Sequence, residues 1–166
     1  GKFKNVTATV SPFLQEVVMV TSAIWTDFNN DIKLDLIVVG EFMPITLLEG
    51  NGEKLTLLEN SGLEKSSGLW NSITSGDFDN DGDIDFVAGN LGLNSNLQVI
   101  ENHPIKLDYA DFDGNGSVDP IFSKFEQGKY YPIGALDQLE KQLPLIKKKF
   151  RYYNTFANSS TNDIIK

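Results

Sequence analysis

The nine-residue run Asp77-Phe78-Asp79-Asn80-Asp81-Gly82-Asp83-Ile84-Asp85 places side-chain oxygens at its first, third, fifth and ninth positions and offers a backbone carbonyl at the seventh, Asp83. Carboxylates crowded this closely repel, since unit charges ~4 Å apart interact by about 4 kcal/mol at an effective dielectric of 20. A divalent cation reverses that sign, and hard oxygen donors are those that Ca²⁺ takes at roughly 2.3–2.6 Å. Gly82 at the sixth position permits the sharp turn that folds both halves onto one ion. An EF-hand shares this opening but requires a bidentate Glu at the twelfth position and flanking helices. Here the twelfth residue is Ala88, inside the short apolar run Phe86-Val87-Ala88, which reads as a strand.

The loop recurs. Asp27-Phe28-Asn29-Asn30-Asp31-Ile32-Lys33-Leu34-Asp35 and Asp111-Phe112-Asp113-Gly114-Asn115-Gly116-Ser117-Val118-Asp119 keep the oxygen spacing, and Phe follows the first Asp each time. A single copy could be an Asp/Asn turn whose side chains bond their own backbone; three copies, each entering a β-like run, are not explained by turn composition. The first copy is expected to bind calcium most weakly or to stay empty. It carries Ile32 where the turn needs Gly, and Asn29 in place of an early carboxylate.

The pattern Asp-x-Asp-x-Asp-Gly-x-x-Asp between two strands resembles the FG-GAP/VCBS repeat, the blade unit of calcium-bearing β-propellers such as those of integrin α-subunits and many bacterial envelope proteins. The resemblance covers most of Gly1 to Phe122 and is closer to the VCBS variety, because the Phe-Gly and Gly-Ala-Pro signatures are not present as such. It implies a ligand set of Asp77, Asp79, Asp81, Asp83 (carbonyl) and Asp85 in the second loop, and Asp111, Asp113, Asn115, Ser117 (carbonyl) and Asp119 in the third. In the first loop the matching positions are Asp27, Asn29, Asp31, Lys33 (carbonyl) and Asp35. Up to three Ca²⁺ follow, the weakest at the Asp27 loop.

The loops also explain the charge. Of 23 acidic residues, Asp27, Asp31, Asp35, Asp77, Asp79, Asp81, Asp83, Asp85, Asp111, Asp113 and Asp119 lie in them, and three divalent ions would bring the net −9 to about −3. Nucleic acid, which needs a basic footprint, is not an expected partner, and Lys147–Lys149 reads as the wet face of a helix. With no Cys and one His, thiolate and imidazole metal clusters are excluded. His103, in Asn102-His103-Pro104, is expected in an exposed turn. No stretch reaches the 18 or so apolar residues of a membrane span. Weak calcium sites suit the millimolar calcium found outside the cytoplasm, so the expected location is extracellular, cell-surface or periplasmic, in a bacterial envelope.

Strand and turn signals predict a mainly β chain: a partial β-propeller of about two to three four-stranded blades over residues 1–134, followed by a helical insertion or extension over 135–166. Gly1-Lys2-Phe3 is expected on an outer strand, as the start of a piece excised from a longer propeller. The first blade is expected at Ala23–Thr26, Leu34–Val39, Ile45–Leu48 and, after the Asn51-Gly52 turn, Leu55–Leu58; the second at Ser72–Ser75, Phe86–Ala88 and Leu97–Ile100. A third begins at Ile105–Tyr109, Ile121–Phe125 and Lys129–Pro132, and Trp25 and Trp70 are expected in core or blade-interface packing. Leu136, Leu139 and Leu143 share one helical face; after Pro144 a second helix carries Ile146, Phe150, Tyr153 and Phe156, and Ser160 caps a further one. A helical segment after such repeats resembles the propeller portions of bacterial proteins that carry an ASPIC/UnbV module further on.

These features predict a non-enzymatic, calcium-stabilised scaffold that binds protein or glycan, completed by the remaining blades of a parent chain or by self-association through open blade faces. No catalytic or cofactor-binding residues are assigned. The competing reading is part of a polysaccharide lyase or glycoside hydrolase, which would need a converging carboxylate pair. Glu16, Glu41, Glu101 and Glu126 are scattered along the chain and expected at the surface.

Overall fold

Each Asp loop empties into a β-branched or aromatic run, and each run forms a strand. The computed structural model describes residues 1–17, 19–92, 95, 97 and 102–166. The first loop joins β1 (Val20–Thr26) to β2 (Asp35–Met43), the second β5 (Gly68–Gly76) to β6 (Asp85–Asn90), and the third β7 (Lys106–Ala110) to β8 (Asp119–Glu126). Strands β3 (Thr46–Gly50) and β4 (Leu55–Leu57) continue from β2, and β9 (Lys129–Pro132) from β8. The chain divides into two compact units, Gly1–Gly92 and Leu93–Lys166. The helical segment from residue 135 therefore shares its unit with the third loop and sheet.

In the first unit β1 to β4 form an antiparallel four-stranded meander, the blade pattern, with pairs such as Trp25↔Leu36, Leu36↔Leu48 and Glu49↔Thr56. Leu36, Ile37, Val38 and Val39 read as an uninterrupted apolar run because β2 is buried on both faces. Leu36, Val38, Met43, Leu48 and Leu55 pack into one cluster, with Leu14 and Val17 against it. Beyond Gly40, β2 pairs with β5 through Glu41↔Leu69, and β5 pairs with β6 from Trp70↔Asn90 to Gly76↔Asp85. The strand expected over Leu97–Ile100 lies, apart from Leu97, outside the described residues, as does Glu101. Neither sheet closes into a barrel. The turn signal at Asn51-Gly52 opens a four-residue loop rather than a two-residue one: Gly50 faces Leu55, and Asn51 Oδ1 accepts from the N–H groups of Glu53 and Lys54 at 2.9 and 2.7 Å.

Two expectations for this unit are corrected. Gly1–Val6 form no strand; a short helix, α1 (Thr7–Val10), and a 3₁₀ turn at Pro12–Gln15 follow them. A strand exists through its ladder bonds, and these residues meet no partner strand among those described. Trp25 is 57% exposed rather than core: it shares the face of its partner Leu36, but β1 is an edge strand that pairs only with β2 among the described strands, whereas Trp70 is half-buried with Nε1 donating to the Ser66 carbonyl at 2.8 Å.

In the second unit β7, β8 and β9 form a three-stranded antiparallel sheet. Ile121 of β8 joins Leu136, Leu139, Leu143, Ile146, Phe150, Phe156 and Ile164 in a single buried cluster. The first three of these leucines lie on or just after α2 (Leu136–Gln142), on one face as their spacing requires. The second expected helix is broken into α3 (Ile146–Lys149) and α4 (Tyr153–Ala157), with Phe150 extended between them at φ −118°, ψ 92°. The run Phe150, Tyr152, Tyr153, Asn154, Thr155 has low helix propensity, and the break lets the Phe150 and Phe156 rings meet edge-on, centroids 5.7 Å apart. Tyr153 is consequently exposed, its hydroxyl donating to Asp137 Oδ1 at 3.0 Å. Lys147–Lys149 face solvent as expected. Ser160 caps α5 (Thr161–Ile164): Asp163 N–H donates to Ser160 Oγ at 3.3 Å, and Ser160 N–H to Asp163 Oδ2 at 3.0 Å. His103 is half-buried rather than exposed, stacked on Phe125 at 3.6 Å between centroids.

Candidate metal centres

The three loops repeat one hydrogen-bond frame. The first Asp takes two backbone N–H groups: Asp27 those of Asp31 and Ile32 at 3.0 and 2.8 Å, Asp77 those of Asp81 and Gly82 at 3.2 and 3.1 Å, Asp111 those of Asn115 and Gly116 at 2.9 and 2.9 Å. The third-position side chains Asn29, Asp79 and Asp113 accept from the fifth N–H, and the fifth-position Asp31, Asp81 and Asn115 accept from the N–H of Lys33, Asp83 and Ser117. The last Asp reaches back: Asp35, Asp85 and Asp119 each accept from the Phe N–H that follows the first Asp, at 3.1, 3.0 and 3.0 Å. The Phe at position two is thus tied through its backbone to the loop's closing carboxylate, which draws the two ends of the loop together.

This frame needs left-handed backbone twice per loop. At the sixth position φ is +66° for Ile32, +95° for Gly82 and +87° for Gly116; at the fourth it is +59° for Asn30, +63° for Asn80 and +73° for Gly114. Sequence reasoning found the first of these and missed the second, although Asn, Asn and Gly are the residue types that tolerate it. Ile32 is a β-branched residue in a region that costs L-residues about 1–2 kcal/mol, and at 95% exposure it regains nothing by packing. Ile32→Gly is therefore expected to stabilise the first unit by about 0.5–1 kcal/mol, the relief of strain less the entropy that Gly adds to the unfolded chain. A denaturation midpoint unmoved or lowered in this variant contradicts the strain.

Oxygen placement separates the loops. Asp77, Asp79 and Asp85 bring one carboxylate oxygen each within 4.8 Å of one another, and so do Asp111, Asp113 and Asp119. Asp81, expected among the ligands, lies outside the first of these groups. The corresponding positions of the first loop hold only two carboxylates, Asp27 and Asp35 with Asn29, and Lys33 Nζ sits 3.2 Å from Asp31 Oδ2. That ammonium, unnoticed in the spacing argument, partly neutralises the loop in place of an ion. Asp35 is fully buried, and its Oδ1 accepts from Gly50 N–H at 2.7 Å; a Cβ on Gly50 would overlap the Leu34 carbonyl oxygen, so this approach requires glycine. Asp119 is 3% exposed. A carboxylate this buried needs hydrogen-bond donors or a cation as partners, and the all-oxygen, hard donor set of the second and third loops fits Ca²⁺ better than softer metals. The carbonyls of Lys33, Asp83 and Ser117 would complete the shells.

Residues 27–88 match the family model of the FG-GAP-like repeat. The matched segment begins on the first residue of the first loop and ends in β6, beyond the second, so it holds two of the three loops and strands β2 to β5 but not β1. The third loop lies outside the match and shares the frame by its oxygen spacing and its hydrogen bonds. Searches of curated proteins and of solved structures found no match. The fold is mainly β, and the FG-GAP-like match over residues 27–88 is consistent with propeller blades in that part of the chain. No helix is long and apolar enough to cross a membrane among the described residues.

Copying the first loop into the second tests the oxygen count. Asp79→Asn removes one carboxylate at the position where the first loop has Asn29, and calorimetric titration should show calcium at that loop weakened by on the order of tenfold, because charge count tunes these affinities. Unchanged binding would mean that the third-position carboxylate is not a ligand.

Proposed function

We propose that the chain is a calcium-stabilised propeller segment of an exported bacterial protein, serving as a non-enzymatic scaffold that binds protein or glycan. The observation that carries this reading is the pair of three-carboxylate groups, Asp77/Asp79/Asp85 and Asp111/Asp113/Asp119, set in one hydrogen-bond frame. In these two frames the carboxylate oxygens lie close enough to share one ion, with backbone amides behind them, which favours a structural site over one with an open position for substrate. Of the glutamates weighed for a hydrolase or lyase, Glu16 and Glu126 are exposed and Glu41 is half-buried, on separate segments of the chain, which favours the scaffold over a catalytic pair drawn from them. The VCBS variety of the repeat, and a place ahead of an ASPIC/UnbV module, are supported by the loop sequence and by the helices packed beside the third sheet.

Further blades, or a second copy, are the proposed cover for exposed Trp25, Ile32 and Leu34, which line one groove of the first unit. Light scattering across a concentration series tests this, and a monomer at every concentration, unchanged by Trp25→Ser, contradicts self-association. Calcium titration by calorimetry tests the metal reading: saturable binding that Mg²⁺ does not reproduce is expected, because Mg²⁺ demands tighter octahedral geometry and sheds water reluctantly. Absence of calcium binding overturns it.

A further inference from the structure

Beside the third loop the second unit contains a pocket of about 170 Å³. Phe112, the second residue of that loop, lines it, together with Leu145 and Ile146 from the start of α3 and Ile164 and Ile165 from the end of α5. Leu143, which also lines it, Ile146 and Ile164 are buried, so the apolar surface open to a ligand comes from half-buried Phe112 and Ile165 and from Leu145, which is 54% exposed. An apolar cavity of about 150 Å³ holds benzene, so a body of about six carbons fits this one.

The rest of the lining is charged: Lys149, Lys166 and Asp113. Both lysines are exposed and form no ion pair among the described residues. Lys149 Nζ lies 5.9 Å from the Phe150 ring centroid, a cation–π distance that supplies no anion. Lys166 has a carboxylate in its neighbourhood: the Ser160 hydroxyl bond first, then the Ser160 N–H, with Lys129 and Lys166 adding positive charge, hold the Asp163 carboxyl below the usual aspartate value. That carboxylate already accepts from Ser160 twice, at 2.6 and 3.0 Å. Asp113 is the one acidic residue of the lining; its Oδ1 accepts from Asn115 N–H at 3.1 Å, and its carboxylate belongs to the group it forms with Asp111 and Asp119. With calcium in the loop that charge is spent on the ion, and the pocket is left with two ammonium groups and apolar walls.

We propose that this pocket binds a short apolar carboxylate, its hydrocarbon end against Phe112, Leu145 and Ile165 and its carboxylate accepting from the Lys149 and Lys166 ammonium groups. An ammonium only donates and a carboxylate only accepts, and both lysines are exposed, so an anion in the pocket reaches them. Inorganic phosphate would suit the lysines but bury no apolar surface. A sugar would set hydroxyls against isoleucine without partners, and an amine would face two like charges. A neutral hydrocarbon would fill the walls and leave both charges unanswered. This inference does not depend on the scaffold reading, and it draws on the calcium loops only for the neutralisation of Asp113.

The test is titration of the full chain, in calcium, with acetate, butyrate, hexanoate and hexan-1-ol, followed by amide proton–nitrogen spectra. Hexanoate should give saturable shifts at residues 112–113, 143–149 and 164–166, and affinity should rise from acetate to hexanoate by about fourfold for each methylene buried. Hexan-1-ol, which lacks the charge, should bind about tenfold more weakly than hexanoate. Lys149→Gln and Lys166→Gln, both exposed and expected to fold, should each weaken hexanoate by about fivefold and leave hexan-1-ol unaffected. No saturable shifts with hexanoate, shifts confined to other residues, acetate binding as tightly as hexanoate, or affinity unaltered in both lysine variants overturns the proposal. Calcium binding measured by calorimetry on the same sample keeps the two readings apart: calcium bound and no hexanoate bound disproves the pocket alone, and hexanoate bound with no calcium bound disproves the loops alone.

Discussion

Excess chelator is expected to lower the melting temperature by about 10 °C or more relative to saturating calcium. A ligand that binds only the native state at 100 times its dissociation constant adds about 2.7 kcal/mol per site, and for a unit of 60–100 residues each kcal/mol moves the midpoint by about 4–8 °C. The two units should respond separately, the first through the Asp77 loop and the second through the Asp111 loop, with little from the Asp27 loop. The effect in the second unit should reach its helices. Asp119 is buried at the end of that loop, Phe112 N–H donates to it, and the Phe112 side chain packs against the cluster of Ile121 and the α2–α5 residues. Hydrogen exchange over 136–164 should therefore slow on adding calcium, and Asp111→Ala should abolish the slowing there while leaving it intact around the Asp77 loop. Coincident melts with and without calcium would remove the metal from the account of stability.

Phe150→Ala is the substitution expected to damage the fold most, by about 3–5 kcal/mol. Phe150 is 5% exposed and meets Phe156 edge-on, so truncation removes both its own burial and an aromatic pair. A unit of this size has a stability of only about 4–11 kcal/mol, so the variant should be partly unfolded at room temperature without calcium. Tyr153→Ala is the control. The sequence puts both residues on the same helical face, yet Tyr153 is 58% exposed and holds only the Asp137 hydrogen bond, so its loss should stay within about 0.5 kcal/mol, as for most surface changes. Equal losses in chemical denaturation would restore the continuous helix that the periodicity of Ile146, Phe150 and Tyr153 implies.

The three loops were legible because their chemistry is local. Carboxylates at fixed odd positions can neither avoid one another nor form a core, so Asp27 to Asp35, Asp77 to Asp85 and Asp111 to Asp119 had to be turns, and the apolar runs after them had to be strands. The relative weakness of the first loop was visible in Ile32 and Asn29, but the Lys33 ammonium beside Asp31 was not weighed. The Ser160–Asp163 cap on α5 was equally readable, since both partners sit within one turn.

What depended on distant partners was decided by tertiary structure. Gly1–Phe3 has strand-like composition but found no ladder to join. Trp25 looks like a core residue and is exposed, because it sits on an edge strand, and burial depends on which elements the fold brings over a position and not on the side chain alone. The helix through residues 146–156 broke because bringing the Phe150 and Phe156 rings together over Ile121 outweighs a few marginal helical bonds among poor helix formers. The pocket beside the third loop has no signature at all in the sequence: Phe112, Leu145 and Ile165 meet there only because the cluster around Ile121 draws α3 and α5 against the loop. Local charge repulsion and turn stereochemistry are written into consecutive residues, whereas packing is a competition among segments far apart in the chain, and only the folded arrangement records which of them won.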